Sequence, residues 1–191
     1  MSMKNIRHYH NGTILTPHKC GTKYLNKVFN ITGSVNVIWY KDLFSYDFKW
    51  LIVRDPYEHL LSAITTVYNT KHNSRDLNNI ITRFIKGLDV HWNNTFYRCI
   101  LPHSLNHSFT LVELSNLTHF VEHELELNAP PLLKRYGTQI IYMNKDDLIN
   151  KIKLEYPSEW EILMGLVELE KSSYSMLFDR CNVYSPEFSF S

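Results

Sequence analysis

Thr16-Pro17-His18-Lys19-Cys20-Gly21-Thr22-Lys23 and Val53-Arg54-Asp55-Pro56-Tyr57-Glu58-His59-Leu60-Leu61-Ser62 are the two stretches that decide the fold. Each follows an apolar run and each opens a helix. The run before the second, Trp50-Leu51-Ile52-Val53, is continuously apolar, as in a strand covered on both faces. Two strand–turn–helix units in succession predict neighbouring strands of one sheet, with both turns at their carboxyl ends. That is where open α/β sheets bind ligands.

Working outward, Asn11–Thr16 reads as a first strand, and Leu25, Val28 and Phe29 as the buried side of a helix ending at Gly33. Val35–Tyr40 reads as a second strand. Asp55, Pro56 and Glu58 have the grammar of a helix start: a cap, a first-turn proline and an acid three residues after the cap. Leu77, Ile80, Ile81, Phe84, Ile85 and Leu88 mark a further amphipathic helix. Phe109–Leu114 reads as a strand followed by a helix capped by Ser115, and Gln139–Met143 as a last short strand. Ser158-Glu159-Trp160-Glu161 looks like a capping box opening a helix to about Phe178. Strands alternating with helices predict an α/β fold, a P-loop-like three-layer α/β/α domain with a mostly parallel central sheet. Residues 1–191 are expected to form one domain, with a cofactor-binding core over about 10–121 and a helical part over about 145–180.

Charge narrows the function. There are 20 Lys and Arg against 19 Asp and Glu, so the broad basic surface of a nucleic-acid binder is not expected and any anion site must be local. No window is apolar enough for a membrane span and the amino terminus has no signal-like stretch, so a cytoplasmic location is expected. Cys20, Cys99 and Cys181 have no metal-ligand spacing, and Cys99 and Cys181 are expected to be buried thiols.

The first turn offers a helix start, where unpaired amides favour an anion. Gly21 allows close backbone approach, Lys19 and Lys23 add charge, and Thr22 adds a hydroxyl. It is not a Walker A loop. There the lysine follows a glycine and precedes a magnesium-binding Ser or Thr, whereas here Lys19 precedes Gly21 and Tyr24 follows Lys23. In the second turn Arg54 leaves a strand end with a guanidinium suited to bidentate phosphate contact. Ser62 shares a helix face with Glu58.

The run Pro17 to Leu25 resembles the 5′-phosphosulfate loop of the sulfotransferases, and Val53 to Ala63 resembles their 3′-phosphate motif. His91-Trp92, Cys99 and Phe109–Leu117 follow in an order similar to the carbohydrate sulfotransferases of the chondroitin/dermatan type. The resemblance implies the donor 3′-phosphoadenosine 5′-phosphosulfate (PAPS), its product 3′-phosphoadenosine 5′-phosphate (PAP), and transfer of a sulfuryl group to a hydroxyl, with a saccharide as the favoured acceptor. It implies that Lys19, Cys20, Gly21, Thr22, Lys23 and Tyr24 surround the 5′ end, that Arg54 and Ser62 hold the 3′-phosphate, and that no metal is needed. Three departures stand out. His18 is inserted before Lys19, Lys23 replaces a Ser or Thr, and only 35 positions separate Lys19 from Arg54.

Lys19 is the expected catalytic cation. For the base, relatives use a His or Glu, often near the end of the second strand, where this chain has Lys41 and Asp42. Asp42 is the expected base, with His91 and His103 as rivals, and Trp92 is the expected acceptor contact. A small P-loop kinase and a nucleotide-binding module without catalysis are the alternatives. The compact form fits a bacterial or viral source.

Overall fold

Alternation of apolar side chains decides how the sheet is covered. In the computed structural model, which describes residues 6–31, 37–38, 47–70, 76–89, 91–92, 94–130 and 143–186, the run at Trp50–Val53 is strand β4. Leu51 and Val53 point into one apolar cluster and Ile52 into another, and all three are fully buried. The remaining strands are β1 (Ile6–Tyr9), β2 (Ile14–Pro17), β3 (Val37–Ile38), β5 (Thr110–Glu113) and β6 (Asn182–Val183). They form one sheet in the order β3-β1-β2-β4-β5-β6. Neighbours from β2 to β6 are parallel, while β1 pairs antiparallel with both β2 and β3. The fold is α/β with a mostly parallel sheet.

Helices cover both faces. On one side α1 (Thr22–Val28) and α5 (Leu117–His119) pack with Ile14, Ile52 and Val112. On the other, α4 (Phe96–Ile100) and α7 (Pro157–Arg180) pack with Leu15, Leu51 and Leu111. A further apolar cluster joins α7 to α2 (Pro56–Thr70), α3 (Leu77–Ile85) and α6 (Lys145–Glu155).

The structure corrects several boundaries. The first strand starts later than Asn11, because His10 and Asn11 take positive φ (50° and 56°) in a 3-10 turn. An extra strand, β1, precedes that turn. Helix α1 ends at Val28, five residues before Gly33, which lies outside the described residues. Gly87, at φ 63°, ends the α3 segment and leaves Leu88 57 % exposed rather than in the buried stripe. Ser115 sits inside a 3-10 turn (Leu114–Asn116) and caps nothing. At α7, Pro157 takes the first turn and no side chain caps the helix, so Ser158–Glu161 is not a capping box. By contrast, Asp55 does cap α2, accepting from the Glu58 amide at 3.0 Å. Cys99 and Cys181 are half-buried, and the fully buried thiol is Cys20. Residues 139–142 of the expected last strand lie outside the described residues.

Parallel register sets the position of the site. Ile14 pairs with Trp50, and Trp50 with Thr110, so the carboxyl ends of β2, β4 and β5 emerge along one edge. His18-Lys19, Arg54 and Leu114 follow them there.

Candidate functional site

The first turn is held shut from inside. The buried Thr16 hydroxyl donates to the Cys20 carbonyl at 2.6 Å, and the Cys20 amide donates to the Pro17 carbonyl at 3.3 Å. Cys20 is therefore a structural member of the loop. Its side chain is fully buried, burial pushes its thiol up to about 12, and its amide is already used. The expectation that Cys20 contacts the donor fails for these reasons. Lys19 adopts φ 68° and Gly21 φ 86°, so the chain reverses sharply before α1. No side chain caps α1, which leaves its first amides facing outward.

Gly21 is required twice over. Its φ is left-handed, and an added Cβ would lie 2.4 Å from Leu117 Cδ2 and 3.2 Å from Leu114 Cδ1. Leu117 is fully buried and has no room to retreat. Gly21→Ala should cost about 1–3 kcal/mol, read as a lower denaturant midpoint at unchanged slope. An unchanged midpoint would show that the loop has slack.

The second turn is pinned from below. The buried Tyr97 hydroxyl accepts from the Arg54 amide at 3.0 Å and donates to the Arg54 carbonyl at 2.5 Å. Burial raises the Tyr97 phenol well above its ordinary value, so it stays a donor. Tyr97 is anchored in turn, because its amide and the Arg98 Nε both donate to the buried Glu170 carboxylate of α7, at 2.7 and 2.8 Å. With its backbone fixed, Arg54 reaches across the edge. Its Nη1 donates to the Lys19 carbonyl at 3.4 Å and its Nη2 lies 3.6 Å from Glu58.

The two turns close around one cavity of about 390 Å³. Lys19, Gly21, Thr22, Lys23, Tyr24, Arg54 and Ser62 all line it, as does Arg7 of β1. Among the described residues no Asp or Glu lines it, and four cations meet there, with Glu58 just outside the lining at 3.6 Å from Arg54. A second cavity, also about 390 Å³, shares Arg54 and Leu114 and is lined further by Val53, Asp55, Glu58, Glu113, Ser115 and Tyr174, so three carboxylates stand in its wall. The cationic first cavity fits a ligand with several oxyanions, and the acidic second cavity fits an uncharged, hydrogen-bond-donating extension of it beyond Arg54.

Among the expected bases, Asp42 and its neighbour Lys41 lie outside the described residues. His103 is fully buried, with its ring stacked on Phe48 (4.9 Å) and His107 (4.1 Å), and forms no part of the cavity lining. Burial, with His107 beside it, lowers its pKa to about 4. It is a core histidine and not a base. Trp92 is 1 % exposed and packs on Phe84 in the helical cluster, so it is core and not an acceptor platform. His91 does not line the cavity either, but its ring is partly exposed, its Nδ1 lies 2.8 Å from the buried Asp89 Oδ1, and its ring meets edge-on, at 5.0 Å, that of His18, which does line it. Donation from Nδ1 to the carboxylate leaves Nε2 as the acceptor. Burial pushes the Asp89 carboxyl up, but its hydrogen bonds from His91 and the nearby Arg83 outweigh this and leave it below the ordinary value.

Four residues of the site went unassigned in the sequence: Arg7, His18, His59 and Tyr97. His59, on the helix after Arg54, is buried and its Nε2 lies 2.6 Å from the His18 carbonyl, while the ring also hydrogen-bonds the His91 backbone. It staples the first turn to the segment that carries His91. A histidine five residues after Arg54 is the only sequence signal for it.

No protein-family model, curated protein or solved structure matches this chain. Functional argument therefore rests on these residues and their chemistry.

Proposed function

We propose that the chain is a sulfotransferase that binds 3′-phosphoadenosine 5′-phosphosulfate in the paired turns and delivers the sulfuryl group to a hydroxyl, with a saccharide as the favoured acceptor class. The observation that carries this is the convergence of Lys19, Lys23, Arg54 and Ser62 on one cavity whose described lining holds no carboxylate. The layered α/β fold and the two motif resemblances support a P-loop-like reading of the same edge.

In this reading Arg54 and Ser62 hold the 3′-phosphate, and Lys19 with the Gly21–Thr22 backbone holds the 5′ end. The ribose then spans the two turns, and the adenine base extends past Arg54 toward the second cavity. The donor, when bound, supplies an activated sulfuryl group on a good leaving phosphate. The protein's part is positioning and charge stabilisation. Lys19 presents a cation where negative charge develops on the leaving oxygen. His91 Nε2 takes the acceptor proton, with Asp89 holding the ring and stabilising the imidazolium that results. Among the described candidates His91 takes this role because the Asp89 carboxylate orients its ring, which touches His18 of the cavity lining. A magnesium-dependent kinase is disfavoured by Tyr24, which stands where a Walker loop needs Ser or Thr.

Ligand-linked melting tests this. At about 100 times its dissociation constant, PAP should stabilise the protein by roughly 2.7 kcal/mol. Adenosine monophosphate at the same concentration should do much less, because it lacks the 3′-phosphate. Arg54→Ala should erase the difference. Equal stabilisation of the wild type by both nucleotides, or turnover of ATP with magnesium, would overturn the assignment.

A further inference from the structure

Three sets of cations follow one another along the carboxyl edge of the sheet. Arg54 leaves β4, Lys19 and Lys23 belong to the turn after β2, and Arg7 lies on β1, on the far side of β2 from β4. Register places Arg7 opposite Thr16 and Ile6 opposite Pro17, so Arg7 lies beside the root of the first turn. It lines the same cavity as Lys19 and Arg54. Two arginines thus flank the turn from opposite sides. Arg54 bonds the carbonyl of Lys19, and Arg7 Nη2 donates to His18 Nε2 at 3.2 Å.

We infer that Arg7 is the sulfonate-end ligand of the donor site, and that His18 is the residue that positions it. The inference rests on the donor reading above and adds to it. If Arg54 takes the 3′-phosphate and the turn takes the 5′-phosphate, the anion next in line is the sulfonate, and the cation next in line is Arg7. Neither motif contains this residue. It comes from the antiparallel strand that the motifs do not predict.

His18 suits the positioning role by its chemistry. An arginine only donates, so His18 must accept at Nε2 and carry its proton on Nδ1. Burial above all, and then the nearby Arg7, His91, Lys19 and His59, disfavour a second proton on the His18 ring. The His18 main chain is fixed as well, because His59 Nε2 lies 2.6 Å from its carbonyl. The guanidinium is therefore tethered to His18 through Nη2 and hydrogen-bonds Tyr9 as well, while Arg7 still lines the cavity. His18, inserted ahead of Lys19, gives the inserted position a function.

Titration calorimetry at one pH and ionic strength, with PAP and with the intact phosphosulfate donor, tests this without knowledge of the acceptor. Arg7→Gln should weaken donor binding at least tenfold and PAP binding less than threefold. Arg7→Lys, which keeps a cation on the strand and serves if the glutamine variant does not fold, should fall between. His18→Gln retains an acceptor for the guanidinium and should behave as wild type, whereas His18→Leu should follow Arg7→Gln. Equal weakening of both ligands, or no change in either, would reduce Arg7 to a prop for the turn and overturn the inference. Failure of the wild type to bind PAP at all would overturn the donor reading itself.

Discussion

Lys19→Gly should lose sulfuryl transfer by at least about 10²-fold while melting no lower than the wild type. The two halves have different physical origins. Lys19 sits at φ 68°, a conformation that costs an L-residue about 1–2 kcal/mol. Glycine adopts it freely but gains entropy in the unfolded chain, worth roughly 0.4–1 kcal/mol against folding. The balance is unchanged stability or a gain of up to about 1 kcal/mol. On the proposed mechanism activity falls because the cation at the leaving oxygen is gone, and removal of one such electrostatic contact typically costs about 10²–10³ in rate. Lys19→Ala separates the terms. It loses the same charge but keeps the strained backbone, so it should match the glycine variant in transfer without its stability. Calorimetric melting and transfer of labelled sulfate to desulfated chondroitin read the two effects. Near-normal turnover in Lys19→Ala would remove Lys19 from the mechanism. A fall in melting temperature for Lys19→Gly would make its side chain structural.

The strain at Lys19 also shows where sequence reasoning stops. Trp50–Val53 was legible because a strand buried on both faces leaves four apolar residues in a row, and Asp55-Pro56-x-Glu58 was legible because helix starts need particular groups at particular positions. Those signals placed the second turn with Arg54 and Ser62, and the apolar run ahead of Pro17 together with Gly21 placed the first, with Lys19 and Lys23. Strand β1 left no such trace. Ile6-Arg7-His8-Tyr9 is four residues long, and what makes it a strand is its register with β2, a tertiary fact. Arg7 was therefore out of reach. His59 and Tyr97 were hidden for a related reason. Their roles lie in hydrogen bonds to the backbones of His18 and Arg54, 41 and 43 positions away, and a backbone carbonyl has no sequence signature. Trp92 and His103 erred in the opposite direction, since aromatic and histidine side chains satisfy a core as readily as a cleft.

The histidines that frame the first turn should make the fold acid-labile well above the carboxylate range. Burial is the main cause of the depressed values of His18, about 3, and His59, about 4. For His18 the Arg7 guanidinium adds to the effect, and for His59 the hydrogen bond to the His18 carbonyl opposes it. In the unfolded chain both titrate near 6.5. Between pH 6.5 and about 4 the unfolded state therefore binds more protons than the folded state, and stability must fall as pH falls. Each histidine contributes at most about 1.4 kcal/mol per pH unit in that window, and the buried His103, also near 4, adds a third. Glu170 acts in the opposite sense, because burial raises its carboxyl and its folded form takes up a proton first. Asp89, held below its ordinary value, loses its contribution only under more acid conditions. From pH 6.5 to 5 two or three such protons remove at most about 4–6 kcal/mol, comparable to the whole stability of a domain at the low end of the typical range of about 5–15 kcal/mol. Denaturant melts from pH 7.5 to 4.5 should show that loss, with two to three protons taken up on unfolding. His59→Gln, which keeps a donor for the His18 carbonyl but does not titrate, should reduce the uptake by about one proton. Stability that stays flat from pH 7 to pH 5 would mean that these rings are charged in the folded state, and that His18 cannot accept from Arg7.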